Sequence, residues 1–195
     1  MDISGNHYDG VLYGSYVYDS QNGGSISNSF ISTSYNINSS SFTISMIVTF
    51  NPSYYWAVWW GDECFDANLG YYAFMSSYDT LNFAGGGTNS YNGRVEVNIS
   101  PNLYNVRSLW DFVVNGANFY LYRNGILFSG PTIYTTPLNF SSVGLCFGAR
   151  HLNNGLGYRD ANGRPTFYNL RAYNIALTST QVLTNYYALQ SKYSL

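Results

Sequence analysis

The alternation of side chains in "SFTISMIVTF", residues 41–50, constrains the fold more than any other feature of the sequence. The positions that share one face of an extended chain are all apolar: Phe42, Ile44, Met46, Val48 and Phe50. The other face holds Ser and Thr with a single Ile. A period of two residues predicts a half-buried β-strand, and its apolar face needs a second layer of structure to cover it.

Short apolar segments separated by turn residues recur along the rest of the chain. In "GRVEVNI", 93–99, Val95, Val97 and Ile99 are expected to point inward. In "NFYLYRNGILFSG", 118–130, the pair Asn124-Gly125 predicts a type I′ turn between two hairpin strands. Further strands are expected at 11–18, 24–31, 54–60, 70–76, 79–84, 109–114, 143–149 and 165–174. Many short strands with such turns indicate antiparallel sheets packed as a sandwich or barrel.

One helix is predicted, at residues 178–190. Thr178 and Gln181 have the spacing of a capping box, in which each residue satisfies a backbone N–H of the other. The apolar residues that follow recur at helical spacing: Val182, Leu183, Tyr186 and Leu189. A single apolar stripe predicts that this helix packs on the outside of the sandwich.

The 195 residues are expected to form one domain. Residues 1–40 supply N-terminal strands or an arm, residues 41–177 form the sandwich, and the helix follows. The opening "MDISGNHYDG" has neither the basic nor the apolar region of a signal peptide, and no apolar run has the ~18 residues that cross a bilayer. We therefore expect synthesis in the cytoplasm and no membrane insertion.

Cys64 and Cys146 do not have the spacing of metal ligands. The sequence is compatible with two free thiols and with one disulfide.

The composition narrows the range of partners. Charged residues make up 9% of the chain, against about 25% in an ordinary soluble domain, and the net charge is −2. Nucleic-acid binding needs clustered Lys and Arg to neutralise phosphates, and no such cluster is present. A weakly charged surface rich in Tyr, Ser, Asn and Gly suits contacts with protein or sugar.

Four segments resemble the laminin G-like jelly rolls of the concanavalin A-like lectin/glucanase superfamily. They are "SFTISMIVTF" as an opening strand, "LWDFVVNGANFYLYRNGILFSG" as a hairpin, "LCFGAR", and "FYNLRAYNIALTSTQVLTNY" as the closing strand and helix. The resemblance covers about residues 41 to 190 and implies an all-β antiparallel jelly-roll sandwich with one short C-terminal helix. Tyr168 and Asn169 stand where the family often has two acidic residues, so a calcium site inherited at that position is not expected.

More narrowly, "GARHLNNGLG" and "RAYNIALT" resemble jelly rolls of large bacteriophages and other large DNA viruses. This resemblance implies a non-enzymatic virion structural protein, a capsid decoration or a fibre module, assembled in the host cytoplasm as a homo-oligomer with other virion proteins. The alternative function is a lectin-like carbohydrate-binding module that recognises a glycan on the host surface.

An enzyme is not expected. Glucanases of this superfamily place two carboxylates on one strand face as E-x-D-x-E, one acting as acid and the other as nucleophile or base. The chain has two glutamates, Glu63 and Glu96, and neither has this pattern.

No cofactor is expected. Oxygen ligands for Ca²⁺ are conceivable in two segments, but their Asp and Asn residues fit turns better. These residues are Asp62, Glu63, Asp66, Asn153, Asn154 and Asp160.

Two segments supply the candidate ligand-binding residues. In "YYWAVWW", 54–60, alternation places Tyr55 and Trp59 on one face and Trp60 on the other. The aromatic side chains fit the core or a subunit interface best, and a sugar-stacking surface is the alternative. The long connection "HLNNGLGYRDANG", 151–163, is expected at one rim of the sandwich. There Arg150, His151 and Asp160 either pin the loop or contact a ligand.

Overall fold

A computed structural model describes residues 9–14, 16–19, 23–26, 29–50, 57–62, 70–76, 79–85, 95–133, 140–152, 157–159 and 165–195. The strands run as follows: β1 Val11–Tyr13, β2 Tyr16–Asp19, β3 Gly23–Ile26, β4 Phe30–Ser32, β5 Ser41–Thr49, β6 Ala57–Gly61, β7 Tyr71–Met75, β8 Thr80–Gly85, β9 Val95–Asn98, β10 Ser108–Asn115, β11 Asn118–Arg123, β12 Ile126–Ile133, β13 Cys146–Phe147, β14 Arg150–Leu152, β15 Gly157–Arg159 and β16 Thr166–Tyr173. One 3₁₀ turn, Pro101–Leu103, precedes β10, and helix α1 spans Ser179–Tyr193.

The described strands form two seven-stranded sheets and one two-stranded sheet. Sheet 1 has the order β1-β4-β13-β6-β7-β8-β9, and sheet 2 has the order β12-β11-β10-β5-β16-β3-β2. All their pairings are antiparallel, which confirms the all-β sandwich. The N-terminal strands divide between the two sheets, β1 and β4 in sheet 1 and β2 and β3 in sheet 2.

The main core lies between the two sheets and is rich in aromatic residues. β5 supplies it with Phe42, Ile44, Met46 and Val48, and Phe50 directly after the strand adds the fifth of the alternate residues that the sequence pattern selects. Val95, Val97 and Ile99 also point into it, as predicted. Trp59 packs edge-on against Trp110 with 5.7 Å between ring centroids, a geometry that aromatic rings favour.

The outer face of β5 is buried as well, so the strand is not half-buried as the alternation predicts. Ile47 packs with Leu109, Leu189 and Tyr193, which places α1 across this face. Thr43 donates a hydrogen bond to the Ile175 carbonyl at 3.0 Å and accepts one from the Leu177 N–H at 3.0 Å. Thr43, on the outer face of β5, therefore fixes the segment that leads into the helix.

Helix α1 begins as predicted. The Thr178 hydroxyl accepts a hydrogen bond from the Gln181 N–H at 3.3 Å, and the Gln181 side chain accepts one from the Thr178 N–H at 2.9 Å. At the other end, Arg107 donates to the Tyr193 carbonyl at 3.0 Å. A cation at this end also suits the helix dipole. The helix thus lies on the outside of sheet 2, in agreement with its single apolar stripe.

Asp111 lies beneath α1 on the outer face of β10, between two apolar clusters. Its neighbour on one side, Leu109, packs with Leu189, and on the other side Val113 packs with Val182. The side chain is completely buried, and neither carboxyl oxygen forms a hydrogen bond. Burial raises its pKa to about 6, while the adjacent Ser45 hydroxyl and the Arg171 charge lower it less.

The described residues contain no helix long and apolar enough to cross a membrane.

Candidate functional site

Two described parts of the connection after residue 148, residues 150–152 and 157–159, form β-strands. They pair as the antiparallel strands β14 and β15, with Arg150 opposite Arg159 and His151 opposite Tyr158. β14 lies against β6 and β13 of sheet 1. The prediction of a rim loop is therefore wrong for residues 150–152 and 157–159. Residues 153–156 and 160–164, including Asp160, lie outside the described residues.

Arg150 is buried against the outer face of sheet 1. Its guanidinium lies over the Tyr72 ring, 4.8 Å from the centroid, and Tyr72 stacks in turn on Phe74 at 4.9 Å. Tyr72 and Phe74 alternate with residues of the main core, so this stack is on the side away from it. Gly61 leaves room beneath the arginine: a Cβ there would sit 3.4 Å from the Arg150 Cβ. Arg150 therefore attaches β14 to the sheet and is not open to a ligand from solvent.

His151 forms a buried pair with Cys146. Its Nε2 lies 2.7 Å from the Gly144 carbonyl oxygen and 3.1 Å from the Cys146 Sγ. A carbonyl oxygen only accepts hydrogen bonds, so Nε2 carries the proton. The sequence pattern did not identify this pair, although Cys146 and His151 are only five residues apart in the chain.

The electrostatics of this pair exclude an activated thiolate. Burial raises the pKa of the Cys146 thiol to about 12 and lowers the pKa of His151. A nucleophilic cysteine needs the opposite arrangement, a lowered pKa beside a cation in a partly exposed site. Both groups are neutral near pH 7, so the pair is structural.

Trp59 lies in the core, in agreement with the favoured interpretation of the aromatic block. The alternative prediction, that Trp59 lies on the surface and stacks on a sugar, is wrong. The indole is completely buried and is not available to a sugar. The alternation also fails here, because Trp59 and Trp60 both enter the main core. The pairing of β6 with β7 shifts register between Val58 and Trp60, and a β-bulge of this kind turns two successive side chains to one side. Tyr55 lies outside the described residues.

Asp62, one of the proposed calcium ligands, has a structural partner. Its Oδ1 accepts a hydrogen bond from the Tyr71 N–H at 2.6 Å, and its own N–H donates to the Tyr71 carbonyl at 2.9 Å. These two bonds tie Asp62 to the start of β7. Gly70 has φ +83° and packs against the Asp62 carbonyl, where a Cβ would lie 2.5 Å away. Glu63, Asp66, Asn153, Asn154 and Asp160 are outside the described residues.

No metal-binding cluster is found in the part of the chain that the structure describes. No three His, Cys, Asp or Glu residues there lie close enough to hold a metal ion. Glu96 is exposed on β9 of sheet 1, whereas Asp111 is buried on the outside of sheet 2. These two carboxyl groups do not flank one substrate site, as glycoside hydrolysis requires.

Tyr13 marks a different surface, at the edge of sheet 1. β1 pairs only with β4 among the described strands, with Tyr13 opposite Phe30. Their rings stack with 4.6 Å between centroids and 5° between planes. Val11, Leu12 and Tyr13 are all exposed. Sequence patterning gave no sign of this pair, because the two strands are too short to show a period.

Comparison with solved structures finds binding domains of toxins. The binding domain of botulinum neurotoxin serotype D has a TM-score of 0.71 at 13% identity, over 96% of this chain and 48% of that chain. The binding domain of Paraclostridial Mosquitocidal Protein 1 has a TM-score of 0.67 at 16% identity, over 96% and 49%. Botulinum neurotoxin type C, whose cell entry depends on interaction with two ganglioside molecules, has a TM-score of 0.66 at 15% identity, over 97% and 48%.

The likeness at these identities is one of fold. The chain spans about half the length of each of these structures. No protein-family model matches the sequence, and no curated protein matches it.

Proposed function

We propose that this chain is a non-catalytic module that binds carbohydrate. The observation that carries the proposal is the fold likeness, over 96% of the chain, to a domain whose role is binding. One neighbour of the same fold belongs to a toxin that interacts with gangliosides, which are glycolipids. Since that likeness covers only half of the neighbour, the sugar-binding role of this chain needs its own test.

The composition supports the same function. Sugar hydroxyls both donate and accept hydrogen bonds, and Ser, Asn and Tyr offer both. The chain has 21 Tyr and only 9% charged residues, so a neutral glycan meets little competing charge. The neutral, buried Cys146–His151 pair supports binding without turnover.

We also propose that the sandwich is a jelly roll of the concanavalin A-like, laminin G-like kind. The central hairpin β10–β11 pairs with β5, and β5 pairs with the closing strand β16 on its other side. This places three of the four segments that carry the resemblance next to one another in sheet 2. The fourth, "LCFGAR", contains β13 of sheet 1.

The virion structural function, which the sequence resemblance favoured, is not supported by the binding domains named above. A virion location stays compatible with glycan binding, because an attachment module on a particle also binds cells. A gene position among capsid and tail genes is the result that would support it. Homo-oligomer formation remains a prediction, which sedimentation of the purified chain would test.

The test of the proposed function is retention of the whole chain on immobilised glycans. We expect binding to a subset of a glycan array, elution by the free sugar, and no change in the sugar after prolonged incubation. Trp59 and Arg150 are unsuitable for substitution in this test, because both are buried and their truncation would destabilise the fold. Absence of binding to every glycan would overturn the proposal, and release of a hydrolysed product would replace it with an enzyme.

A further inference from the structure

Helix α1 is held on sheet 2 by two apolar clusters that are separated along β10. Leu109 packs with Leu189 in one cluster, and Val113 packs with Val182 in the other. Asp111 lies between Leu109 and Val113 on the same face of β10, because alternate residues of a strand point to one side. A carboxyl group therefore stands between the two contacts that hold the helix to the sheet.

The neighbours of Asp111 across the sheet compensate little for a negative charge. Tyr122 lies opposite Asp111 on β11 and Ser45 lies opposite it on β5, and Arg171 lies beyond Ser45 on β16. Asp111 is completely buried, and neither carboxyl oxygen forms a hydrogen bond. Burial raises the pKa of Asp111 to about 6, which outweighs the lowering by Ser45 and Arg171. The attached helix therefore favours the neutral, protonated carboxyl.

The other titratable or charged groups around this contact are tyrosines, arginines and one lysine. They are Tyr120, Tyr122 and Arg123 on β11, Tyr168, Arg171 and Tyr173 on β16, Arg107 before β10, and Tyr186, Tyr193 and Lys192 on α1. β5 contributes none. Phenol, guanidinium and ammonium groups change charge well above pH 8. Of the groups around this contact, Asp111 is therefore the one that titrates between pH 4 and 8.

The attachment of α1 is linked to the proton on Asp111. Detachment of the helix gives the carboxyl access to water, where its pKa returns toward 3.8. Because the carboxyl binds its proton more tightly while α1 is attached, protonation stabilises the attached state. This contribution is complete below pH 4 and is lost as the pH rises to about 6. The apolar clusters do not depend on pH, so what changes is the population of a detached minor state.

We propose that α1 is a pH-dependent cover of sheet 2, attached most firmly when Asp111 is protonated and released more often when Asp111 is ionised. Release uncovers the apolar residues Ile47, Leu109 and Val113 on the outer face of the sheet. The main core is formed by the opposite faces of the strands and stays closed. This property of the fold is independent of the proposed glycan binding.

The test is amide hydrogen exchange of the whole chain, followed by NMR at pH 4.5 and pH 7.5 and corrected for the intrinsic exchange rates. From the pKa values of 3.8 and about 6, detachment should be roughly 25-fold more frequent at pH 7.5, and the protection of α1 amides should fall by that factor. Amides of β5 and β10 report opening of the core. They should be better protected than those of α1 at both pH values and should respond more steeply to low concentrations of denaturant.

Two variants assign the effect to Asp111. Asp111→Asn keeps the shape of the side chain without a charge, so its α1 protection should change less than about threefold between the two pH values. Glu96→Gln neutralises an exposed carboxyl on β9 of sheet 1 and should keep the full change of the wild type.

Three outcomes overturn the proposal: α1 protection that does not depend on pH, a pH dependence that persists in Asp111→Asn, and exchange of α1 together with β5 at equal protection and denaturant response. The last outcome would mean that the helix leaves only when the whole chain unfolds. If Asp111→Asn fails to fold, the wild-type chain decides the question. The increase in α1 exchange must then level off at the pKa at which the Asp111 carboxyl carbon titrates by NMR, and a different pH overturns the proposal.

Discussion

The Cys146 Sγ lies 3.1 Å from the His151 Nε2, and burial keeps both groups neutral. In many enzymes the same two side chains form a reactive ion pair. Here the His151 N–H is directed to the Gly144 carbonyl at 2.7 Å, so the imidazole does not act as a base toward the thiol. A short distance between a cysteine and a histidine therefore does not by itself identify a nucleophile. The protonation state of both groups and the exposure of the thiol must also be known.

Cys146 should resist alkylation in the folded chain. A rise of its pKa from 9.0 to about 12 leaves roughly a thousandfold less thiolate at pH 8, and burial blocks the reagent in addition. We expect iodoacetamide to modify Cys146 at least about 100-fold more slowly in buffer than in denaturant. Mass spectrometry of the peptide that contains Cys146 measures this ratio. Rapid labelling of the native protein would contradict the structural role.

Asp111→Asn should stabilise the protein near neutral pH. Because the folded state raises the pKa of Asp111 above 3.8, its contribution to stability is present below pH 4 and is lost as the pH rises to about 6. Above that pH, the substitution should raise the free energy of unfolding by roughly 2 to 3 kcal/mol. Denaturant unfolding of both proteins from pH 4 to 8 measures the difference.

Two comparisons isolate the effect of Asp111. The folded state lowers the pKa of His151, which removes stability as the pH falls below 6.5 and so has the opposite sign. Subtracting the two unfolding curves cancels this contribution, since both proteins keep His151. Glu96→Gln neutralises an exposed carboxyl on β9 and should stay within about 0.5 kcal/mol of the wild type. An Asp111→Asn difference that is independent of pH would show that packing, not charge, is responsible.

Thr178→Ala should weaken the start of α1. The substitution removes the hydroxyl that accepts from the Gln181 N–H, and loss of such a cap costs about 1 kcal/mol. Thr178→Ser keeps the hydroxyl and should recover most of that loss. Thermal unfolding of the three proteins, followed by circular dichroism, provides the measurement. Equal melting temperatures for the Ala and Ser variants would mean that the cap does not limit stability.

Gly125→Ala should destabilise the contact between the central hairpin and α1. Gly125 has φ +79°, and a Cβ there would lie 2.9 Å from the Leu183 Cδ1 and 3.1 Å from the Tyr186 Cβ. Gly116 has φ +60° and nothing within 4 Å of such a Cβ, which makes Gly116→Ala the matched control for backbone strain alone. We expect each variant to lose about 1 kcal/mol from the backbone, and Gly125→Ala to lose about 1 kcal/mol more. Equal losses would show that α1 adjusts without cost.

The sequence correctly predicted the elements that are determined by their own residues and not by distant contacts. β5 alternates over its full length, α1 begins at its capping box, and Asn124-Gly125 adopts positive φ on both residues. In each case the pattern and its physical cause lie within a few neighbouring residues. The two-layer arrangement follows from the same patterns, because the apolar faces need mutual cover.

The predictions failed where distant contacts decide the structure. Alternation separates Trp59 from Trp60, but the bulge in β6 is fixed by its pairing with β7. The polar segment after residue 148 suggested an exposed loop, yet Arg150 and His151 are buried through Tyr72 and Cys146. Partners of this kind are set by the tertiary fold, so a single sequence does not reveal them.

The elements that pack on the outside of the two sheets determine which surfaces a partner can reach. Helix α1 packs on the outer side of sheet 2, and β14 packs on part of the outer side of sheet 1, so the chain itself covers part of each broad side of the sandwich. A partner has less access to the covered parts, whereas β1, at the edge of sheet 1, is exposed. Substitutions at this exposed edge should therefore disturb the fold less than substitutions of the residues buried beneath α1 or β14.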